Sequence, residues 1–188
     1  MTHFEYIFVA VSIILSFTLL RLLDALPHAL DRRRGYWPHA VWVVFLLYFC
    51  ATYWWISWHN RIFEELSLRY FLFLLLAPSV LYLSATALVS ATPASVTSWR
   101  EHFFRVRIRF FTGLLLYLSM LIVNTSVTFG VPLRHPLRIA QAIVVGLVLA
   151  GALVSSPRGQ TFLGGLAAAV LAAALGLAVA DRAPLNLD

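Results

Sequence analysis

The chain has no lysine, one cysteine and little charge of either sign, and each shortage narrows what it can be. Only 12% of its 188 residues are charged and 61% are hydrophobic, where a soluble domain carries about 25% charged residues. That balance excludes an ordinary soluble domain and places the chain in the membrane class. Cys50, alone and inside an apolar run, forms no intrachain disulfide and has no second thiolate for a structural zinc; it reads as a small buried hydrophobe. No H-E-x-x-H or Cys/His spacing, phosphate loop, nucleophile elbow or internal repeat is present, so the expectation is no metal and no cofactor. Carboxylates are missing from the middle of every apolar run, which disfavours ion-coupled transport.

What is there is apolar length. Crossing ~30 Å of hydrocarbon takes ~20 helical residues, because lipid offers the backbone only internal hydrogen-bond partners. Six stretches qualify, near residues 5–26, 37–58, 69–89, 110–129, 137–154 and 161–180, within one polytopic domain of 1–188. The brief "SSPRGQ" at 155–160 makes the last two a helical hairpin. The expected fold is therefore all-α and integral to the membrane, a bundle of about six spans. The leading "MTHFEY" has no basic residue and the first apolar stretch exceeds a signal-peptide core, so an uncleaved span with its N-terminus outside is expected.

All positive charge comes from arginine, fourteen residues in a chain of net charge +6. In a soluble protein that excess points to nucleic acid; here the arginines lie between apolar runs, and anionic lipid headgroups are the expected partner. Arg32, Arg33, Arg34, Arg100, Arg105, Arg107, Arg109 and Arg158 fall in the odd-numbered connections, against Arg61, Arg69, Arg134, Arg138 and Arg182 on the other side. Eight against five places both termini in the periplasm of a bacterial inner membrane. Trp37 at one end of the second span, and Trp54, Trp55 and Trp58 at the other, fit its two headgroup levels.

The stretch "REHFFRVRIRFF" at 100–111 spaces its arginines by two. On a helix that spacing turns about 200° per step, so the arginines form no voltage-sensor stripe. Ser98 and Glu101 have capping-box spacing, and Glu101 and Arg105 form an i,i+4 pair. The expectation is a short amphipathic interfacial helix before the fourth span. Its arginines would meet headgroups, while Phe103, Phe104, Ile108 and Phe110 enter the acyl boundary.

Titratable candidates gather at the inner face: Arg21 with Asp24, three residues apart, and His39 with Glu101 and His102. All six histidines sit at interfaces or in loops, which argues against haem. The polar interior candidates are Ser79, Ser84 and Thr86 in span three, Asn124 in span four and Gln141 in span five. Asn124 and Gln141 both fall toward the outer leaflet, where one pair would satisfy much of each amide. Pro78 removes a helical hydrogen bond and should kink span three. Small residues line spans five and six, at Gly146, Ala150 and Gly151, then at Gly164, Ala168 and Ala172 and at Gly165, Ala169 and Ala173. Such ridges allow close helix contact, within the monomer or with a second copy or a membrane partner.

An opening helix with "FEY", a "YWPHAVW" lead-in at 36–42 and "REHFFRVR" at 100–107 resembles a type of small, uncharacterised bacterial multi-pass membrane protein. The resemblance covers about the first two-thirds of the chain. It implies six or so helices in a cytoplasmic membrane and carries over no catalytic residue. Three function classes follow. The first expectation is a non-catalytic accessory, sensory or assembly component, because no charge is buried and the small-residue ridges invite association. The second is a channel or carrier for a small, weakly polar solute, built on Asn124, Gln141, Ser79 and Pro78. The third is a membrane enzyme using His39, Glu101 and His102.

Overall fold

A computed structural model describes residues 3–31, 35–62 and 67–180. Six long helices follow one another: α1 (His3–Ala29), α2 (Trp37–Ser57), α3 (Leu68–Leu88), α4 (Trp99–Val123), α5 (Pro136–Leu153) and α6 (Pro157–Ala180). Among the described residues there is no strand, and all six helices are long and apolar enough to cross a membrane. Five of the six expected stretches match within a few residues at either end.

The starts follow local chemistry. Ser67 accepts from the Tyr70 amide at 3.3 Å, Ser98 from the Glu101 amide at 3.4 Å, and the His135 ring from the Leu137 amide at 3.2 Å. Each side chain satisfies one of the first N–H groups that a helix leaves unpaired. Proline stands in the first turn of α2 and α5, where its missing N–H costs nothing.

The fourth helix differs from expectation. α4 runs unbroken from Trp99, so the arginine-rich stretch forms its first three turns and is continuous with the rest of the helix. No glycine or proline interrupts this stretch, and one buried stripe at helical spacing runs through it: Trp99, Phe103, Arg107, Phe110, Phe111, Leu114 and Tyr117. Phe103 and Phe110, expected at the acyl boundary, are wholly buried because they belong to that stripe, while Ile108 is 63% exposed.

At its far end α4 widens into a π turn, Asn124–Thr128. The Thr125 and Ser126 hydroxyls both donate to the Ile122 carbonyl, at 3.0 and 2.7 Å. They compete with the backbone for that acceptor, and the Phe129 amide bonds back five residues to the Asn124 carbonyl.

Around α2, the centre of the bundle, pack α1, α3 and α6, and α4 lies between α3 and α5. The core is aromatic. Trp42 meets Phe111 at 5.0 Å between ring centroids, Phe45 meets Phe49 at 5.0 Å, and Phe49 meets Tyr117 at 5.5 Å. Two glycines permit this density: a side chain at Gly113 would meet the Ser84 hydroxyl, and one at Gly151 would meet the Phe111 ring. The expected small-residue ridges divide accordingly. Gly151 and Gly164 are used inside the monomer, Gly164 against Pro38 and Trp37, whereas a Cβ at Gly146 would meet none of the described residues within 4 Å.

Candidate functional site

At one end of the bundle α3 and α5 finish, and each leaves its last carbonyls without a helical donor. The chain's scarce polar side chains go to these carbonyls. His39 Nε2 lies 3.2 Å and His102 Nε2 3.0 Å from the same Leu88 carbonyl, one ring arriving from α2 and the other from α4. Only an N–H bonds a carbonyl, so both rings carry their proton on Nε2. His39 is fully buried, stacks on Trp99 at 4.5 Å and meets His102 edge-on at 6.4 Å. The sequence singles out both histidines, and the structure brings them together over one backbone oxygen.

The other inner-face expectations change. Arg21 turns to the Ala91 carbonyl at 3.5 Å, and no ion pair with Asp24 forms among the described residues. Asp24 is exposed. Glu101 lines a polar cleft of about 210 Å³ with His102, Arg105 and Ser98, but no cluster of three or more His, Cys, Asp or Glu suited to a metal occurs among the described residues. Of the arginines assigned to headgroups, Arg100, Arg105 and Arg109 are exposed, while Arg32, Arg33 and Arg34 lie outside the described residues. Arg107 is the exception. It is only 9% exposed, and Nη1 donates to the Val154 carbonyl that ends α5. Gln160, at the start of α6, donates to the same carbonyl and to that of Gly151 at 2.8 Å. Arg107 and Gln160 thus clamp the α5–α6 hairpin to α4. The signal in the sequence is the position of Arg107 in the α4 stripe; Gln160 carries none.

Within the bundle the same rule holds. Pro78 has no N–H, so the Leu74 carbonyl one turn earlier loses its helical donor. Tyr53 of α2 supplies a replacement, its hydroxyl donating to Leu74 at 2.8 Å. Ser79, Ser84 and Thr86 bond carbonyls of their own helix, Leu75, Val80 and Leu83, at 2.8 to 2.9 Å.

The opposite end, around the π turn, is arranged differently. The expected Asn124–Gln141 pair does not form. Arg138, one turn before Gln141 on α5, draws Gln141 away: Nη1 donates to Gln141 Oε1 at 2.7 Å and to Thr125 Oγ1 at 2.9 Å, and Nη2 to Ser126 Oγ at 2.7 Å and to the Val131 carbonyl at 2.8 Å. Gln141 Nε2 in turn donates to Thr125 at 3.3 Å. Asn124 instead faces Tyr70, whose hydroxyl is 3.2 Å from Asn124 Oδ1 and 3.0 Å from Asn60 Oδ1. Between α2, α4 and α5 lies an open cleft of about 220 Å³, apolar over most of its lining, with Asn124, Thr125 and Gln141 among its few polar residues.

No protein-family model, curated protein or solved structure matches the chain.

Proposed function

We propose that the chain is a six-span protein of a bacterial inner membrane, with both termini in the periplasm, acting as a non-catalytic accessory, sensory or assembly component. One observation carries the reading. The side chains best suited to chemistry, His39, His102, Arg107 and Tyr53, are bonded to backbone carbonyls that helix ends and Pro78 leave open. Groups used in this way hold helices together and are not poised toward a substrate. The outer faces support the membrane part: Leu20, Leu72, Leu83, Leu116 and Leu177 are all more than half exposed, a surface suited to lipid. Arg100, Arg105 and Arg109 supply positive charge for anionic headgroups at the cytoplasmic face.

Cysteine placed at Thr2 and at Asn186, in a Cys50→Ser background, tests the orientation. Both should react with an impermeant thiol reagent in intact spheroplasts; reaction at both only after lysis reverses the orientation, and a difference between them removes the even number of spans. Reconstituted liposomes test the accessory role, and the protein should pass no small solute. The channel or carrier reading keeps one observation in its favour, the cleft lined in part by Asn124, Thr125 and Gln141. A protein that conducts, together with a folded Asn124→Leu variant that does not, would establish that reading in place of the accessory one.

A further inference from the structure

The cleft between α2, α4 and α5 combines three properties. Its walls are apolar, with Phe49, Leu118, Leu121, Ile122 and Val144 among them. Its lining includes two side-chain amides with capacity to spare. Gln141 Nε2 has two N–H groups, and one is given to Thr125. Asn124 is 94% buried by its 6% exposure, and only one end of its amide is engaged, by Tyr70. Behind them stands a positive charge, Arg138, that no carboxylate among the described residues balances: its partners there are neutral oxygens, from Thr125, Ser126, Val131 and Gln141.

We propose that this cleft binds a single acyl chain ending in a carboxylate, a long-chain fatty acid. The chain lies along the apolar walls, and the carboxylate accepts from the Gln141 and Asn124 amides. Arg138 is a positioning residue. Its four terminal N–H groups are taken up by protein oxygens, so it aims Gln141 and lends its charge to the headgroup at one remove. A partly buried guanidinium without a counter-ion favours an anion more strongly than a neutral head, because the surrounding medium screens it less than water does. The size limits the occupant. At about 220 Å³ the cleft is smaller than the ~300–1,000 Å³ of pockets for drug-sized ligands, so it takes the carboxylate end of one chain, with the remainder in the bilayer, and has no room for two. Entry from the side rests on the six helices crossing a bilayer, which the cysteine labelling tests separately.

The experiment uses the full chain in vesicles of zwitterionic phospholipid, with a palmitate carrying a photoactivatable diazirine at mid-chain. Crosslinks mapped by mass spectrometry should fall on α2, α4 and α5 around the cleft and be displaced by unlabelled palmitate. Hexadecanol should displace the probe roughly tenfold less well, the size of one charge-assisted interaction. Val144→Trp, which fills the cleft, should abolish labelling, whereas Leu149→Trp, on the exposed side of α5, should leave it unchanged. Should Val144→Trp fail to fold, Ala140→Leu narrows the same wall and should lower labelling severalfold. Arg138→Gln should weaken palmitate more than hexadecanol and remove most of the difference between them. Labelling spread over all lipid-facing helices, or unaffected by the cleft substitutions, would overturn the site. Equal competition by hexadecanol would overturn the carboxylate, and displacement by anionic phospholipid but not by palmitate would assign the cleft to a phospholipid chain instead.

Discussion

The two ends of the bundle use polar side chains in opposite ways. At the histidine end His39, His102, Arg107 and Gln160 all reach backbone carbonyls, and α3 and α5 terminate on them. At the π-turn end side chains mostly bond one another: Arg138 to Gln141, Thr125 and Ser126, and Tyr70 to Asn60 and Asn124. A backbone carbonyl is fixed by its helix, so a donor aimed at it locks two helices in register. A side-chain network moves with its rotamers and retains spare donors. The first arrangement fixes where α3 and α5 end, and the second keeps side-chain donors free for a ligand.

The sharpest test of this contrast lies within α5. Gly151→Leu, at the histidine end, drives a side chain into the Phe111 ring and should lower stability by about 1–3 kcal/mol, seen as a clear fall in melting temperature in mild detergent. Gly146→Leu lies on the same helix but faces open space, so it should melt like the parent. Equal losses at both positions would mean that the hairpin is held uniformly and not clamped at one end.

Next comes the shared carbonyl. His39→Phe keeps the ring against Trp99 and removes one donor, but His102 still serves Leu88. Each single change should therefore cost little, about 0.6 kcal/mol. Replacing both leaves the Leu88 oxygen without a side-chain donor and should cost ~1–3 kcal/mol, more than the sum of the singles. Simple additivity in that double-mutant cycle would show the two bonds to be independent.

A smaller effect is expected inside the bundle. Tyr53→Phe should cost between about 0.6 and 1.7 kcal/mol, because the Leu74 carbonyl loses its substitute donor. In a Pro78→Ala background the helix supplies its own N–H, and the same change should cost almost nothing. A full cost that persists there would show that Tyr53 acts through its surroundings and not through Leu74.

The smallest change belongs to the other end. Asn124→Leu removes the bond with Tyr70 but also takes a polar group out of a largely buried position, so its effect on melting should stay within ~0.6 kcal/mol in either direction. A loss as large as that of Gly151→Leu would make the π-turn network as rigid as the histidine cap and erase the contrast.

Much of the architecture is legible in the residues because the spans are runs of about 20 apolar positions, a signal that needs no knowledge of neighbours. The Ser98 cap is legible for the same reason, its acceptor and donor lying three residues apart. The continuity of α4 is harder to read, since arginines dominate its opening and suggest a surface. Reading Trp99, Phe103, Phe110, Phe111 and Leu114 by their 3- and 4-residue spacing would have joined them into one helix and put Arg107 on its inner side. Arg138 was equally within reach: it precedes Gln141 by three residues on one helix, close enough to compete with Asn124. Pro78 announces an open carbonyl at Leu74, but that Tyr53 fills it depends on how α2 lies across α3. The common carbonyl of His39 and His102 is likewise invisible in sequence, because three helices meet there.

The clamp at Arg107 also sets an order of events during synthesis. Its acceptor, Val154, comes 47 residues later in the chain. At ~5–20 residues per second, the guanidinium waits ~2–10 s after it is made before that carbonyl exists. The aromatic core is supplied by α2 and α4, whereas the α5 side of α4 stays bare until the later helix arrives. A protein cut short near residue 135 would therefore leave Arg107 without its oxygen beside an uncovered apolar groove.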